Sequence, residues 1–174
     1  MGIARSQRRV ASARMAMIGR SLLDASPLCA ISTVSGNQAH VNTAYFAWGA
    51  GFRLVWLSEP SAKHSRNLRA NRTAAIAVFD SHQVWGKPDR GIQLFGSARE
   101  LNGDAAEAAD RTYASRFPEY RREDNSAYLF YELRPRSLKL FDERALGRGV
   151  FVTARVTADG DLAWQRTEVY RATP

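Results

Sequence analysis

Short runs of apolar, aromatic and β-branched residues, each closed by turn-forming residues, recur from Leu28 to Thr157, and nothing else in the chain constrains its fold as tightly. Leu28–Val34 runs into the turn residues Ser35-Gly36-Asn37, His40–Trp48 into Gly49-Ala50-Gly51, and Phe52–Ser58 completes a three-strand meander. Thr73–Phe79 is small and apolar on both faces, as a buried strand requires. Gly91–Glu100 carries Gly96 in its interior, where a strand glycine marks a bulge or the close approach of another backbone. Ala127–Leu133, Ser137–Phe141 and Gly149–Thr157 read as further strands, and Asp159-Gly160 as a hairpin turn leading toward Trp164. So many short strands at even spacing call for a closed antiparallel barrel, because closure removes unpaired edges.

Three segments break this rhythm. Residues 5–24 place Ala11, Met15, Ile18 and Leu22 at helical spacing with arginines on the other faces, and the Pro27 region ends that helix. Residues 59–71 read as a loop leading into a short helix with Ser61 as its N-cap. Asp104–Arg116 reads as a second amphipathic helix stopped by Phe117-Pro118. The expected organisation is one domain, with an N-terminal helix over about 5–24 and a barrel over about 28–157.

A chain of 174 residues with 45% hydrophobic and 24% charged residues can bury a core of ordinary size. No apolar run approaches the ~18 residues of a membrane helix, and arginines interrupt the N-terminus where a secretory signal needs its apolar centre. A cytoplasmic protein is expected. The single cysteine, Cys29, excludes an internal disulfide and reads as a small core side chain. The net charge of +8 fits a solvated surface, an anionic small-molecule partner or nucleic acid alike. Five arginines of that excess (Arg5, Arg8, Arg9, Arg14, Arg20) lie in the first twenty residues, and the aromatics sit inside strands rather than between arginines, which ranks nucleic acid last.

The run Phe52–Phe79, a strand followed by Ser61-Ala62-Lys63-His64, a short helix and another strand, resembles the central stretch of the pyridoxamine-phosphate-oxidase-like FMN-binding split barrels. Arg90–Leu101, with its internal glycine, resembles that family's next strand, and Tyr113-Ala-Ser-Arg-Phe-Pro118 is similar to an uncharacterised bacterial branch. The likeness covers roughly residues 25–157. It implies a mainly β (α+β) fold, a six-stranded antiparallel split β-barrel with flanking helices. It also implies a homodimer with FMN between the subunits, and an oxidoreductase that transfers hydride to or from a small-molecule substrate.

Carried over by position, the resemblance puts the FMN phosphate on Lys63 and Ser61, with His64 beside them. It lays Asn42, Thr43, Ala44 and Tyr45 along the flavin ring, with Trp56, Leu57 and Ser58 at the strand edge below it. Gln83 and Trp85, in the loop before the next strand, and Gln93 on that strand are candidates to line the pocket. Two departures matter. The loop reads Ser-Ala-Lys where the family has Ser-Arg-Lys, so His64, Arg66 or an arginine of a second subunit has to supply the missing cation. The C-terminus lacks the Arg-Leu-His-Asp-Arg type segment that grips substrate phosphate, so oxidation of pyridoxine phosphate is not implied.

A flavin performs the electron transfer itself, so a chain without a catalytic triad is compatible with such an enzyme. His40, His64 and His82 have no metal-ligand spacing, and neither a Gly-x-Ser-x-Gly elbow nor a Walker loop occurs. A deazaflavin-dependent reductase and a non-enzymatic flavin or haem carrier on the same barrel are the alternatives.

Overall fold

The computed structural model describes residues 2–171. In chain order the elements are β1 (Gly2–Ser6), α1 (Ser12–Asp24), β2 (Leu28–Ser35), β3 (Gln38–Gly49), β4 (Arg53–Ser58), α2 (Lys63–Ala70), β5 (Thr73–Phe79), β6 (Arg90–Glu100), α3 (Asp104–Arg116), β7 (Leu129–Asp142), β8 (Val150–Val156) and β9 (Leu162–Arg171). The strands hydrogen-bond in the order β1-β9-β8-β7-β4-β3-β2-β5-β6, and β7 also pairs with β6. Strands β2 to β7 therefore close into a six-stranded antiparallel barrel, while β8, β9 and β1 extend the sheet beyond it. Contacts divide the chain into two compact units.

The first unit takes the chain up to Ser26, residues 77–94 and the chain from Arg136 onward. Here β7 pairs with β8, β8 with β9 and β9 with β1. Helix α1 buries Met15, Ile18, Leu22 and Leu23, one stripe at helical spacing, and lies on β9. This corrects the expected N-terminal helix. It begins at Ser12, and residues 2–6 form a strand, because no apolar stripe precedes Met15 and the free edge of β9 offers backbone partners. In that pairing Arg5 faces Glu168. The link between β1 and α1 is tied down by Arg8 and Arg14, which donate to the carbonyls of Leu146 and Ala145 at 2.9 and 2.7 Å. The expected Asp159-Gly160 turn is present, with Gly160 at φ +85°, and β9 continues past Trp164 to Arg171.

The second unit holds residues 27–76 and 95–135. The β2–β3 hairpin pairs Leu28 with Tyr45 and Ile31 with Asn42. Strand β4 continues the meander, and Trp56 lies directly opposite Tyr131 of β7. Ile31, Phe46, Leu54, Trp56, Tyr131 and Leu133 are fully buried. Each such side chain contributes about 1.5–3 kcal/mol relative to exposure. On the other face of β3 and β4, α3 lays Ala109 and Tyr113 against Ala47, Val55, Leu101 and Phe130. The two strands expected over 127–141 are one, β7, which runs through Pro135. Pro135 falls between the β4 ladder, which ends at Leu133, and the β8 ladder, which begins at Ser137, so its missing N–H costs neither ladder a bond.

Gly96 is where the backbones of β6 and β7 meet. A Cβ there would stand 2.1 Å from the Arg134 carbonyl oxygen and 2.8 Å from Pro135 Cα. Backbone cannot retreat as a side-chain tip can. Gly96→Ala is therefore expected to cost about 2 kcal/mol or more in denaturant unfolding; a change within about 0.5 kcal/mol, as at an ordinary surface position, would contradict this packing.

Candidate functional site

The register of β2 and β3 places Leu28 with Tyr45, Ala30 with Thr43 and Ser32 with Val41 on one outer face of the sheet. Val41 and Tyr45 are 61% and 56% exposed, Thr43 is exposed, and the Tyr45 ring meets Phe117 edge-on at 5.8 Å. The opposite face of β3 turns His40, Asn42 and Ala44 away from this surface. Of the four β3 positions expected along a flavin ring, only Thr43 and Tyr45 offer side chains to the outer face. Asn42 Oδ1 is buried without a hydrogen-bond partner.

Strand β4 ends at the candidate anion site. Trp56 is fully buried and can offer a ligand only its backbone, Leu57 is half-buried against the α3 cluster, and Ser58 is buried. Helix α2 begins at Lys63. Its buried side, Ser65, Asn67 and Leu68, is fixed by Asn67 Nδ2 donating to Thr33 Oγ1 of β2 at 3.0 Å and by Ser65 Oγ donating to the Glu59 carbonyl at 2.9 Å. Ser58 Oγ makes a short hydrogen bond with His64 Nε2. Burial, and secondarily the charge of His40, hold the His64 pKa below the ordinary histidine range. The ring is therefore neutral at neutral pH, with Nε2 hydrogen-bonded to the Ser58 hydroxyl. The His40 and His64 rings lie parallel with centroids 6.5 Å apart. This serine–histidine contact is not an activated nucleophile, because Ser58 is buried and no carboxylate orients His64 among the described residues.

Lys63 is exposed and, among the described residues, has neither an ion-pair nor a hydrogen-bond partner. The amides of Lys63, His64 and Ser65 open the helix and have no intrahelical acceptor. Together they form a cationic, donor-rich corner suited to an anion. Ser61 is not the expected N-cap. Ala62 holds that position, and Ser61 turns back to Glu59, its amide donating to Oε1 at 3.0 Å and its hydroxyl to Oε2 at 2.5 Å. The two bonds hold the Glu59 carboxyl below the usual carboxylate range. The sequence reading missed Glu59; its position two residues before Ser61 is the spacing at which a carboxylate reaches a following amide and hydroxyl. Arg66 binds the Ser61 carbonyl, and Arg69 the Pro60 carbonyl at 2.6 Å and Glu100 at 3.2 Å, so both arginines shape the loop.

The remaining expected residues belong to the first unit. Gln83 Oε1 accepts from the Arg90 amide at 2.5 Å and closes the 80–90 loop. Trp85 stands 99% exposed on that loop, over a hollow of about 440 Å³ lined by Lys87, Asp89, Glu143 and Arg148. Gln93 is exposed on β6. Cys29 is buried, and burial pushes its thiol up to about 12, which makes it inert as the sequence implied.

Residues 19–141 match the sequence profile of pyridoxamine 5'-phosphate oxidase. The chain belongs to that family. Comparison with curated proteins gave no significant match. Among solved structures, it resembles a protein of unknown function from Agrobacterium tumefaciens (TM-score 0.62, 15% identity, 71% of this chain), of whose length it spans 55%. It also resembles an FAD-binding protein from Mesorhizobium loti (TM-score 0.60, 16% identity, 79% of this chain and 94% of that one). A third likeness is to a heme binding protein from Mycobacterium smegmatis (TM-score 0.59, 15% identity, 96% and 91%). Proteins that share this fold thus include one described as FAD-binding and one as heme-binding.

The neutral His64 has a consequence for stability. The unfolded chain holds the histidine proton more tightly than the folded one, so this contribution is full above the ordinary histidine pKa and is lost as pH falls through the lowered folded value. Thermal unfolding between about pH 5 and pH 8 is expected to show wild type losing more stability on acidification than His64→Gln. Parallel pH profiles would contradict the assignment.

Proposed function

We propose that this protein binds FMN and uses it to transfer hydride to or from a small-molecule substrate, as a homodimer with the cofactor at the subunit interface. The observation that carries this reading is the corner at the start of α2, where an unpartnered Lys63 stands beside three helix-opening amides, within the same unit as the exposed outer face of β3. The donor set fits the group. Lys63 and the amides suit a phosphate dianion, and Val41, Thr43 and Tyr45 offer an apolar, partly aromatic surface for a flat ring. The FAD-binding protein from Mesorhizobium loti supports a flavin on this fold.

When bound, FMN supplies the hydride or electron transfer. The protein's own residues do the rest. Lys63 holds the phosphate as a point charge. The Asn67–Thr33 and Ser65–Glu59 bonds keep α2 at a fixed place against β2 and the loop, so the phosphate donors are set before the cofactor arrives. A second copy covering Leu28, Val41 and Tyr45 keeps water from the ring surface. Glu59 opposes the cofactor: its carboxylate occupies the amide and hydroxyl of Ser61 and adds negative charge beside the anion. The cytoplasm is the setting this reading implies.

The heme binding protein from Mycobacterium smegmatis raises haem as a second cofactor. The geometry favours it less. His64 Nε2 is engaged by Ser58 and so is not free to ligate an iron.

Titration with FMN and with riboflavin separates phosphate from ring recognition. Lys63→Ala is expected to weaken FMN about 10- to 100-fold while leaving riboflavin unchanged, and Glu59→Gln to tighten FMN alone. Equal losses for both ligands, or none for either, would contradict a phosphate role for Lys63.

A further inference from the structure

We propose that the cleft between α3 and the start of β4 binds a small carboxylic acid with an aromatic or short apolar body, at a site separate from the cofactor corner. The inference does not depend on the flavin reading. The cleft lies at the Arg53 end of β4, whereas the cofactor corner lies beyond Ser58, five residues and about 17 Å along the same strand.

The cavity exists because of the face that α3 presents. Ala109 packs on Val55 and Leu101, which make the floor, while the short side chains of Ala105, Ala108 and Thr112 leave the space beside that contact unfilled. The hollow left between them is about 220 Å³. A benzene ring fills a cavity of about 150 Å³, so a ring bearing one carboxylate fits. The α3 side of the wall is largely apolar, and the one hydroxyl there, that of Thr112, has its hydrogen engaged by the Ala108 carbonyl at 2.9 Å.

One end is charged. Glu132 lies opposite Val55 in the β4–β7 register, with its side chain 10% exposed. Arg134 Nε donates to Glu132 Oε2 at 2.5 Å, and Arg53 Nη1 stands 4.0 Å from Oε1, too far for a hydrogen bond. Two guanidinium groups thus meet one carboxylate and leave one positive charge in excess. Each guanidinium has five N–H donors, and among the described residues those of Arg53 and Arg134 have no acceptor besides Glu132. Both arginines are about half exposed, so their outer donors line the mouth of the cleft. Buried Glu132 serves as a positioning residue that holds the Arg134 fork in place. An apolar wall ending in spare, preset guanidinium donors is complementary to a carboxylate on an apolar body. A bare inorganic anion would leave the wall unused, and a neutral hydrocarbon would leave the donors unused.

Calorimetric titration of the full-length protein with benzoate, benzyl alcohol and inorganic phosphate tests this directly. Saturable benzoate binding is expected at millimolar concentrations, with the other two at least about tenfold weaker. Arg53→Gln should weaken benzoate about tenfold. Ala108→Leu, at an exposed helix position where leucine is well tolerated, should abolish binding by filling the cleft without lowering the thermal midpoint. The proposal is overturned by the absence of benzoate binding, by benzoate affinity unchanged in both variants, or by benzyl alcohol or phosphate binding as tightly as benzoate.

Discussion

Closing six strands into a barrel forces two backbones together at Gly96, and the second unit depends on that contact. The β6 chain can approach Arg134 and Pro135 only because residue 96 has no side chain. β7 in turn pairs with β4, and β4 with β3, so the place where β7 crosses β6 fixes where Trp56 enters the core and where β4 ends. The β4 end then sets the start of α2. A backbone contact with no ligand function therefore determines where Lys63 stands.

The second determinant is a polar layer under α2. Buried hydroxyl, amide and imidazole groups cost free energy unless they are hydrogen-bonded. Here Ser58, His64 and Ser65 satisfy one another and the Glu59 carbonyl, and Asn67 satisfies Thr33. An apolar interface would hold the helix as firmly and fix its rotation less sharply. The directional bonds leave one orientation, in which Lys63 faces solvent and its neighbouring amides open outward. Glu59 is the counterweight, because it satisfies the exposed Ser61 donors that an anion would otherwise take.

Strand existence was legible because the apolar runs end at Gly, Asn and Pro, whose backbone preferences are strong and local. Gly96 was legible for the same reason: a glycine inside an otherwise good strand needs a cause. The start of α1 was not, since Ala11 and its neighbouring arginines fit a helix as well as they fit a tail, and what decided the matter was the distant edge of β9. The role of Pro135 depended on which ladders flank it, a property of the whole sheet. At the candidate site, the position of Lys63 followed from resemblance alone. That Thr43 and Tyr45 would face outward while Asn42 and Ala44 would not, and that Glu59 would capture Ser61, required strand registers and side-chain distances that no single sequence encodes locally.

The central claim is that this chain holds a flavin through its phosphate at the start of α2. The most direct measurement is the visible absorption spectrum of the purified protein after loading with FMN and gel filtration. The account predicts a flavin band that co-elutes with wild type and is lost or strongly reduced in Lys63→Ala. A protein that elutes colourless after loading, or one that retains haem and no flavin, would contradict it.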